Sequence, residues 1–329
     1  MKTPHASCAA SGDAGKSATA DSLPEDSLPQ ELQQAATLVV EARRVEGSAA
    51  RDFDDVLAVE EPLEIHVSVR VSPHQVSAVS GNSDQGGSAQ SCSDQLASVQ
   101  SVAVTMRTPG ADKELAAGFL FTEGIISRSD QIEEIINDKC NVVIVALKFG
   151  VELDSKLFER HSFVASSCGV CGKKSIAAVK VKRLHQSISG LPLVSVQTIH
   201  TLSASMRQAQ ANFNSTGGIH ASALFDSLGT LLLLREDVGR HNALDKVIGA
   251  QFLQDKLPLN DSILMVSGRA SFELVQKASH AGIPILVAVG APSSLAVSLA
   301  QECGMTLVGF ARDGRFNIYS AAERIQFSD

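Results

Sequence analysis

Two cysteines, three positions apart and each followed by glycine, stand in the stretch Ser166-Ser167-Cys168-Gly169-Val170-Cys171-Gly172-Lys173-Lys174-Ser175. The flanks are polar and the glycines disfavour a helix interior, so the stretch reads as an exposed loop presenting two thiols. Thiolate is the reactive form of cysteine, and Lys173 and Lys174 favour it electrostatically. Cys168 and Cys171 are the catalytic candidates, and three chemistries suit their spacing. A zinc half-site needs two further ligands; no second paired Cys/His motif exists, and His161 and His220 lie at unsuitable intervals. A thioredoxin-like redox pair opens a helix after a strand, a setting that the glycines weaken. A sulfur carrier accepts a sulfane sulfur on one thiolate, and the other assists or releases it. Spacing leaves all three open, with an incidental pair as a fourth.

Three other stretches suit a phosphate-bearing ligand. Asp237-Val238-Gly239-Arg240-His241-Asn242-Ala243-Leu244-Asp245-Lys246 comes after an apolar run and opens a helix. A helix N-terminus beside Arg240 and His241 favours an anion; the plainer reading is a capped, solvated turn. Ser267-Gly268-Arg269-Ala270-Ser271 repeats the design at the next strand end, where glycine permits close approach and Arg269 can hold a phosphate bidentately. Phe310-Ala311-Arg312-Asp313-Gly314-Arg315 sets two arginines around an Asp-Gly turn. Alone it is a charged hairpin; beside the other two loops it reads as a phosphate clamp. None is a P-loop or a GxGxxG fingerprint. Arg107-Thr108-Pro109-Gly110 is a turn with a candidate fourth basic contact. His220, after Gly217-Gly218, is a ligand or a partly buried structural histidine.

These residues need elements to hold them. Residues 1–55 read as a disordered extension with one weak helix over Gln30–Arg44. Residues 56–160 read as a small α+β domain. Alternation over Leu63, Ile65, Val67 and Val69 is a strand signal, as is the run from Ser101 to Met106. Between them, residues 72–100 collapse into Ser, Gly, Gln and Asp and read as a flexible insertion. Helices are expected over Asp112–Glu123 and Ser127–Glu134, and a strand over Asn141–Phe149. Residues 161–329 read as the larger α/β domain, with a short strand at Phe163-Val164-Ala165 before the cysteine loop and a helix over Gln197–Asn212. From Thr230 onward, strands and helices alternate regularly. That pattern predicts a mostly parallel, helix-covered sheet with its ligand at the strand-to-helix loops 236–242, 267–270 and 290–294.

The chain has 329 residues, 44% of them hydrophobic, which is enough for a sizeable core. A net charge of −8 argues against a general nucleic-acid binder. No apolar run reaches the length of a membrane span, and the Ala/Ser/Asp-rich start has no secretory h-region. A cytoplasmic location is therefore expected. Six cysteines in a chain of this kind do not suggest a disulfide framework; Cys8, Cys92, Cys140 and Cys303 read as incidental or small buried residues.

Taken together, the stretches 106–110, 114–120, 167–173, 217–221, 236–246, 267–269 and 311–315 resemble the FdhD family of sulfurtransferases, over residues 58–326 apart from the insertion. The resemblance raises sulfur transfer above zinc binding. It implies a small N-terminal domain joined to a cytidine-deaminase-like three-layer α/β domain, in a homodimer. It implies that Cys168 carries a persulfide taken from a cysteine desulfurase, with Cys171 as its partner. The recipient is the molybdenum or tungsten centre of a bis-molybdopterin guanine dinucleotide cofactor, destined for formate dehydrogenase. Phe310, Ala311, Arg312, Asp313, Gly314 and Arg315 match the family's cofactor-binding segment, with Arg240, His241 and Arg269 as further candidates. No resident metal site is expected. The competing reading is a cofactor-binding chaperone whose cysteines are structural or hold zinc. A deaminase-type zinc hydrolase is disfavoured, because Ser222 stands where its glutamate would be sought and Pro-Cys-x-x-Cys is absent.

Overall fold

The computed structural model describes residues 36–70, 97–139, 141–151 and 192–327. The cysteine loop, the strand expected at Phe163–Ala165 and most of the 72–100 insertion lie outside the described residues.

Strands β1 (Thr37–Glu46) and β2 (Ala49–Ala58) form a two-stranded antiparallel ribbon closed by Gly47-Ser48. Over the described part, from Thr37 onward, this overturns the helix expected over Gln30–Arg44, and with it the disordered reading of residues 37–55; residues 30–35 lie outside the described residues. Thr37-Leu38-Val39-Val40 is a β-branched-rich run, and cross-strand pairing with β2 outweighs the weak helical propensity of Glu41 to Arg44.

The small sheet has the order β4-β3-β6-β5, from β3 (Glu61–Arg70), β4 (Ala97–Arg107), β5 (Ile132–Lys139) and β6 (Val142–Leu147). Alternation puts Leu63, Ile65, Val67, Val143, Val145 and Leu147 on its buried face. Helix α1 (Asp112–Thr122) covers that face with Leu115, Leu120 and Phe121. The helix expected over Ser127–Glu134 is instead one short 3-10 turn, Ser129–Gln131, leading into β5. The side-chain Oε1 of Gln131 accepts from the Ser127 and Arg128 amides at 2.7 and 2.9 Å, which closes the turn. The isoleucines beyond it pair with β6.

The large sheet has six strands in the order β13-β12-β11-β10-β8-β9. They are β8 (His220–Phe225), β9 (Leu231–Asp237), β10 (Ile263–Val266), β11 (Ile285–Ala288), β12 (Thr306–Arg312) and β13 (Arg315–Ser320); β7 (Val194–Ser195) and β14 (Ile325–Gln326) pair separately. Only β10-β11 and β11-β12 are parallel. β8-β9, β8-β10 and β12-β13 are antiparallel, so the sheet is mixed rather than mostly parallel. The short links explain two of these pairings. A two-residue turn between β12 and β13 and a five-residue loop between β8 and β9 can join only antiparallel neighbours.

Alternation divides the large sheet between two cores. Ala223, Phe225, Met265 and Val287 face α2 (Val196–Ala209) through Ile199, Leu202 and Met206. Leu224, Leu264, Val266 and Leu286 face α4 (Arg240–Phe252), α5 (Phe272–His280) and α6 (Ser294–Cys303). The result is three layers. Helix α3 (Ala211–Thr216) follows α2 directly. Helices α1 and α4 touch backbone to backbone. A β-carbon on Gly118 would enter the shell of the Asp245 carbonyl, and one on Gly249 that of the Glu114 carbonyl. These two glycines let the small sheet's helix press against the large sheet's helix layer.

Candidate functional site

The loops singled out in the sequence meet at one edge of the large sheet. The Ser267 amide donates to the Ala221 carbonyl at 3.0 Å, Gly290 to Gly268 at 2.9 Å, and Phe310 to Gly290 at 3.1 Å. His220 stands opposite Asp237 in the β8-β9 pairing. The edge therefore reads, from one side to the other, Asp237, His220, Ser267-Gly268, Gly290, Phe310. A side chain would be crowded at Gly290 and would just touch its neighbour at Gly268. A β-carbon on Gly290 would lie 3.1 Å from both the Gly268 carbonyl and Arg269 Cγ, and one on Gly268 3.4 Å from the His220 ring.

Arg269 is exposed at this edge and Arg240 is half-buried at the start of α4. The turn after β12 completes the basic rim. Asp313 (φ 54°) and Gly314 (φ 67°) both have positive φ, which Asp-Gly tolerates in a two-residue hairpin. The turn sets Arg312 directly opposite Arg315, both exposed. Like charges so paired are destabilising in the free protein; an anion between them reverses the sign. Asp313 sits 3.8 Å from Arg312 and offsets only part of this repulsion. Phe310 also holds positive φ, at 54°. For a bulky residue that is strain, and strain of this kind concentrates at functional sites.

Behind the edge is a cavity of about 400 Å³. Its walls are Met206 and Gln210 from α2 and the residue after it, Phe213 from α3, Ile219, Val238 and Val289, with His220 and Ser267 from the sheet edge and Arg207 also lining it. Phe213 is fixed from behind, since the Glu236 carboxylate accepts from the Asn212 and Phe213 amides at 2.9 Å each. The Arg207 guanidinium lies 4.3 Å from the centre of the Phe213 ring. Gln210 is 2% exposed, and its Nε2 has no hydrogen-bond partner among the described residues. A buried amide donor left unpaired costs about 1–3 kcal/mol, so an acceptor that reached it from the adjoining cavity would relieve that cost. Sequence reading missed Gln210, though a signal existed. It follows Leu202 and Met206 at i+8 and i+4, a polar residue on the apolar stripe of α2.

Burial holds His220 below its ordinary value of 6.5, the nearby charges of Arg240 and His241 push the same way, and Asp237 opposes them. The ring is therefore neutral at pH 7. The unfolded chain takes up this proton first as the pH falls, so His220 lowers stability below about pH 6.5 and leaves it unaffected above. Chemical denaturation between pH 7.5 and 5 is expected to show a shallower stability loss for His220→Gln than for wild type.

His241 does not face outward with Arg240. It is 7% exposed, with Nε2 3.2 Å from Glu273 Oε2 and 3.5 Å from the Ser271 hydroxyl. Burial pushes Glu273 up, yet the His241 hydrogen bond and charge leave it below its ordinary range. His241 thus ties the loop carrying Arg240 to the loop carrying Arg269. Glu273 was not identifiable as its partner from sequence, because the two residues lie on different helices, α4 and α5.

Much of the 237–246 stretch is a joint rather than a ligand contact. Asp237 Oδ2 lies 2.7 Å from Lys246 Nζ and accepts from the Thr108 amide at 3.2 Å. Lys246 also donates to the Thr108 carbonyl at 2.9 Å, and Asn242 donates to the Met106 carbonyl at 2.7 Å. Asp245 and Thr122 meet Lys277 in a second buried cluster, at 2.8 Å from each. Burial pushes Asp245 up; for Lys277 burial works downward, but the carboxylates of Asp245 and Glu123 hold it up. Arg107 belongs to the same structural role. It is fully buried and forks onto Asp112 at 3.0 Å through two bonds, with Asn141 at 2.9 Å. The expectation of a fourth basic ligand contact there is corrected. Its guanidinium is consumed by an internal carboxylate that the turn brings within reach.

Cys168 and Cys171 lie outside the described residues. Among the described residues, no group of three or more His, Cys, Asp or Glu is placed to hold a metal, and no helix is long and apolar enough to cross a membrane.

The site is that of a mixed α/β protein with a glycine-lined, arginine-rimmed sheet edge opening on a mainly apolar cavity that carries a few polar groups. The profile of the FdhD/NarQ family matches residues 96–326, and the chain belongs to that family. It is 46% identical over 280 residues to "Sulfur carrier protein FdhD" of Mycolicibacterium paratuberculosis, covering 82% of this chain and 92% of that protein. It is 38% identical over 284 residues to the protein of the same name from Saccharolobus solfataricus, covering 86% and 95%. A crystal structure described as that of a formate dehydrogenase accessory protein from Desulfotalea psychrophila superposes with a TM-score of 0.63 at 23% identity, covering 89% of this chain and all of that one. That last likeness bears on the fold alone.

Proposed function

We propose that this protein is a sulfur carrier that accepts sulfur from a cysteine desulfurase and delivers it to the metal of a bis-molybdopterin guanine dinucleotide cofactor bound for formate dehydrogenase. The names of its relatives support the carrier role. The observation that carries the cofactor reading is the shared sheet edge, where Arg240, Arg269, Arg312 and Arg315 lie on the loops that border the Gly268 and Gly290 backbone. Guanine dinucleotides bring phosphates to that rim. A planar base with a carbonyl suits the cavity, where the Gln210 amide lacks an acceptor.

In the sulfur step, the Cys168 thiolate attacks the outer sulfur of the desulfurase persulfide. The S–S bond breaks, the desulfurase thiolate leaves, and Cys168 holds the persulfide. Cys171 then attacks Cys168 Sγ. A Cys168–Cys171 disulfide forms, the two thiols supply two electrons, and the sulfur departs as hydrosulfide equivalent to the cargo metal. A cellular dithiol resets the disulfide by exchange.

Incubation of the chain with a cysteine desulfurase and cysteine, followed by intact-protein mass spectrometry, tests the carrier role. A gain of one sulfur, removed by thiol reductant, is expected. No gain, with stoichiometric zinc on the protein, would establish the chaperone reading instead. Gln210→Leu tests the cavity: guanosine monophosphate affinity, read by calorimetry, is expected to fall about tenfold, the scale of one buried hydrogen bond, while adenosine monophosphate affinity stays unchanged.

A further inference from the structure

The cations at this edge are of two kinds. Arginine keeps its charge throughout the physiological range, whereas a histidine changes its own within it. His220 stands where the rim meets the cavity. Its ring lines the cavity beside Val238 and Ser267. The Cε1 and Nδ1 atoms would each lie 3.4 Å from a β-carbon on Gly268, so the ring borders that rung of the edge. The residue is half-buried, and neither ring nitrogen has a hydrogen-bond partner among the described residues. The polar groups nearby are engaged elsewhere. Ser267 Oγ accepts from the Ala221 amide at 2.9 Å, Asp237 Oδ2 holds Lys246 at 2.7 Å, and His241 Nε2 lies 3.2 Å from Glu273.

The charges around the ring set its response. Asp237 faces it from β9, and Arg240 and His241 from the start of α4. Arg269 follows Gly268 on the loop after β10, and Arg207 reaches the cavity from α2. Burial and the charges of Arg240 and His241 keep the ring neutral in the free protein, and Asp237 opposes them only in part. A phosphate seated against Arg240 changes this balance twice. It offsets the arginine's charge, and it brings a negative charge and an acceptor to the ring. Both effects favour the imidazolium. The hydrogen bond so formed is charge-assisted, which makes it stronger than one from a neutral ring.

We propose that His220 is a proton-linked ligand of the anion site: its ring takes one proton from solvent as a phosphate seats at the rim, and donates a hydrogen bond to a phosphate oxygen. This rests on the rim being a phosphate site, and it makes the grip of that site pH-dependent. The bound state holds one proton more than the free state, so affinity rises as the pH falls and declines as it rises. Below the pH at which the free ring is already charged, the dependence ends.

Calorimetry of guanosine monophosphate binding at pH 7, in buffers of different ionisation enthalpy, counts the protons taken up. Wild type is expected to take up about half a proton or more per nucleotide beyond the count for His220→Gln. Between pH 6.5 and 7.5 its affinity should fall about threefold more than that of the variant. Subtracting the variant removes the titration of the nucleotide's own phosphate and of the other side chains. A second readout uses wild type alone. Histidine-ring 1H–15N spectra should show one ring passing from neutral to imidazolium when the nucleotide is added at pH 7. Its loss in His220→Gln, or in His220→Asn should the first variant not fold, assigns it. Equal proton counts in wild type and variant, with no change in the His220 ring, would overturn the proton linkage and leave the nucleotide site standing. No binding of the nucleotide to wild type would overturn the nucleotide site itself, and the linkage with it.

Discussion

Cys168→Ala is expected to gain no sulfur from a cysteine desulfurase, while its nucleotide affinity stays within about twofold of wild type. Sulfur uptake needs a nucleophilic thiolate at the attacking position. Alanine has none. The nucleotide side should not notice, since every rung of the arginine-rimmed edge comes from residues 220–315, each held by its own backbone hydrogen bonds. Cys171→Ala should behave differently. It still loads sulfur on Cys168, but it lacks the second thiol that supplies the electrons for release. Its mass gain should therefore persist while hydrosulfide release falls to background. Intact mass and a sulfide assay on both variants separate the two roles. If Cys171→Ala fails to load and Cys168→Ala loads normally, the roles are reversed. If both variants load fully, either thiol can accept the sulfur or neither does, and loading of Cys168→Ala/Cys171→Ala, expected to be absent, decides between them.

Legibility in the sequence depended on the range of the interaction involved. The β8-to-β12 strands announce themselves through continuous apolar runs, and their helices through spacing, because those are local signals. Arg269 and the 310–315 turn lie at strand ends, so reading the strands located them at one edge. The misreadings came where a residue's partner is far away in sequence. Arg107 looks like a free basic residue until Asp112, Glu61 and Asn141 close around it. His241 looks like a ligand contact until Glu273 arrives from the next helix. Thr37–Glu46 carries weak helical propensity, and only its register with Ala49–Ala58 makes it a strand. Gln210 was visible as a polar residue on an apolar stripe, but its unpaired amide is a property of the assembled wall.

Asp237→Ala is expected to destabilise the protein by about 3–5 kcal/mol, the usual cost of stranding one member of a buried ion pair. Asp237 is fully buried. It receives Lys246 Nζ at 2.7 Å, the Gly239 amide at 2.8 Å, Asn242 Nδ2 at 3.1 Å and the Thr108 amide at 3.2 Å. Burial pushes its carboxyl up, while Lys246 and these donors oppose the shift. Alanine strands an ammonium that is 2% exposed and leaves the Thr108 amide without this acceptor. The thermal midpoint should drop by about 10 °C or more. The double variant Asp237→Ala/Lys246→Met should be more stable than Asp237→Ala alone, because methionine removes the stranded charge at similar volume. The functional consequence comes from position. Asp237 pins the turn that presents Arg240, and it does so by gripping Thr108 from the β4–α1 connection. Loosening that grip should weaken nucleotide binding in the single variant even under conditions where it remains folded. The double variant should recover stability but not affinity, since the Asp237–Thr108 bond is absent in both and the double variant also lacks the Lys246 bond to the Thr108 carbonyl, leaving only the Val238 amide on Thr108 Oγ1 at 3.1 Å. If the single variant melts like wild type, or the double variant melts no higher than the single, the 237–246 stretch is not a structural joint and its charged residues are available to ligand after all.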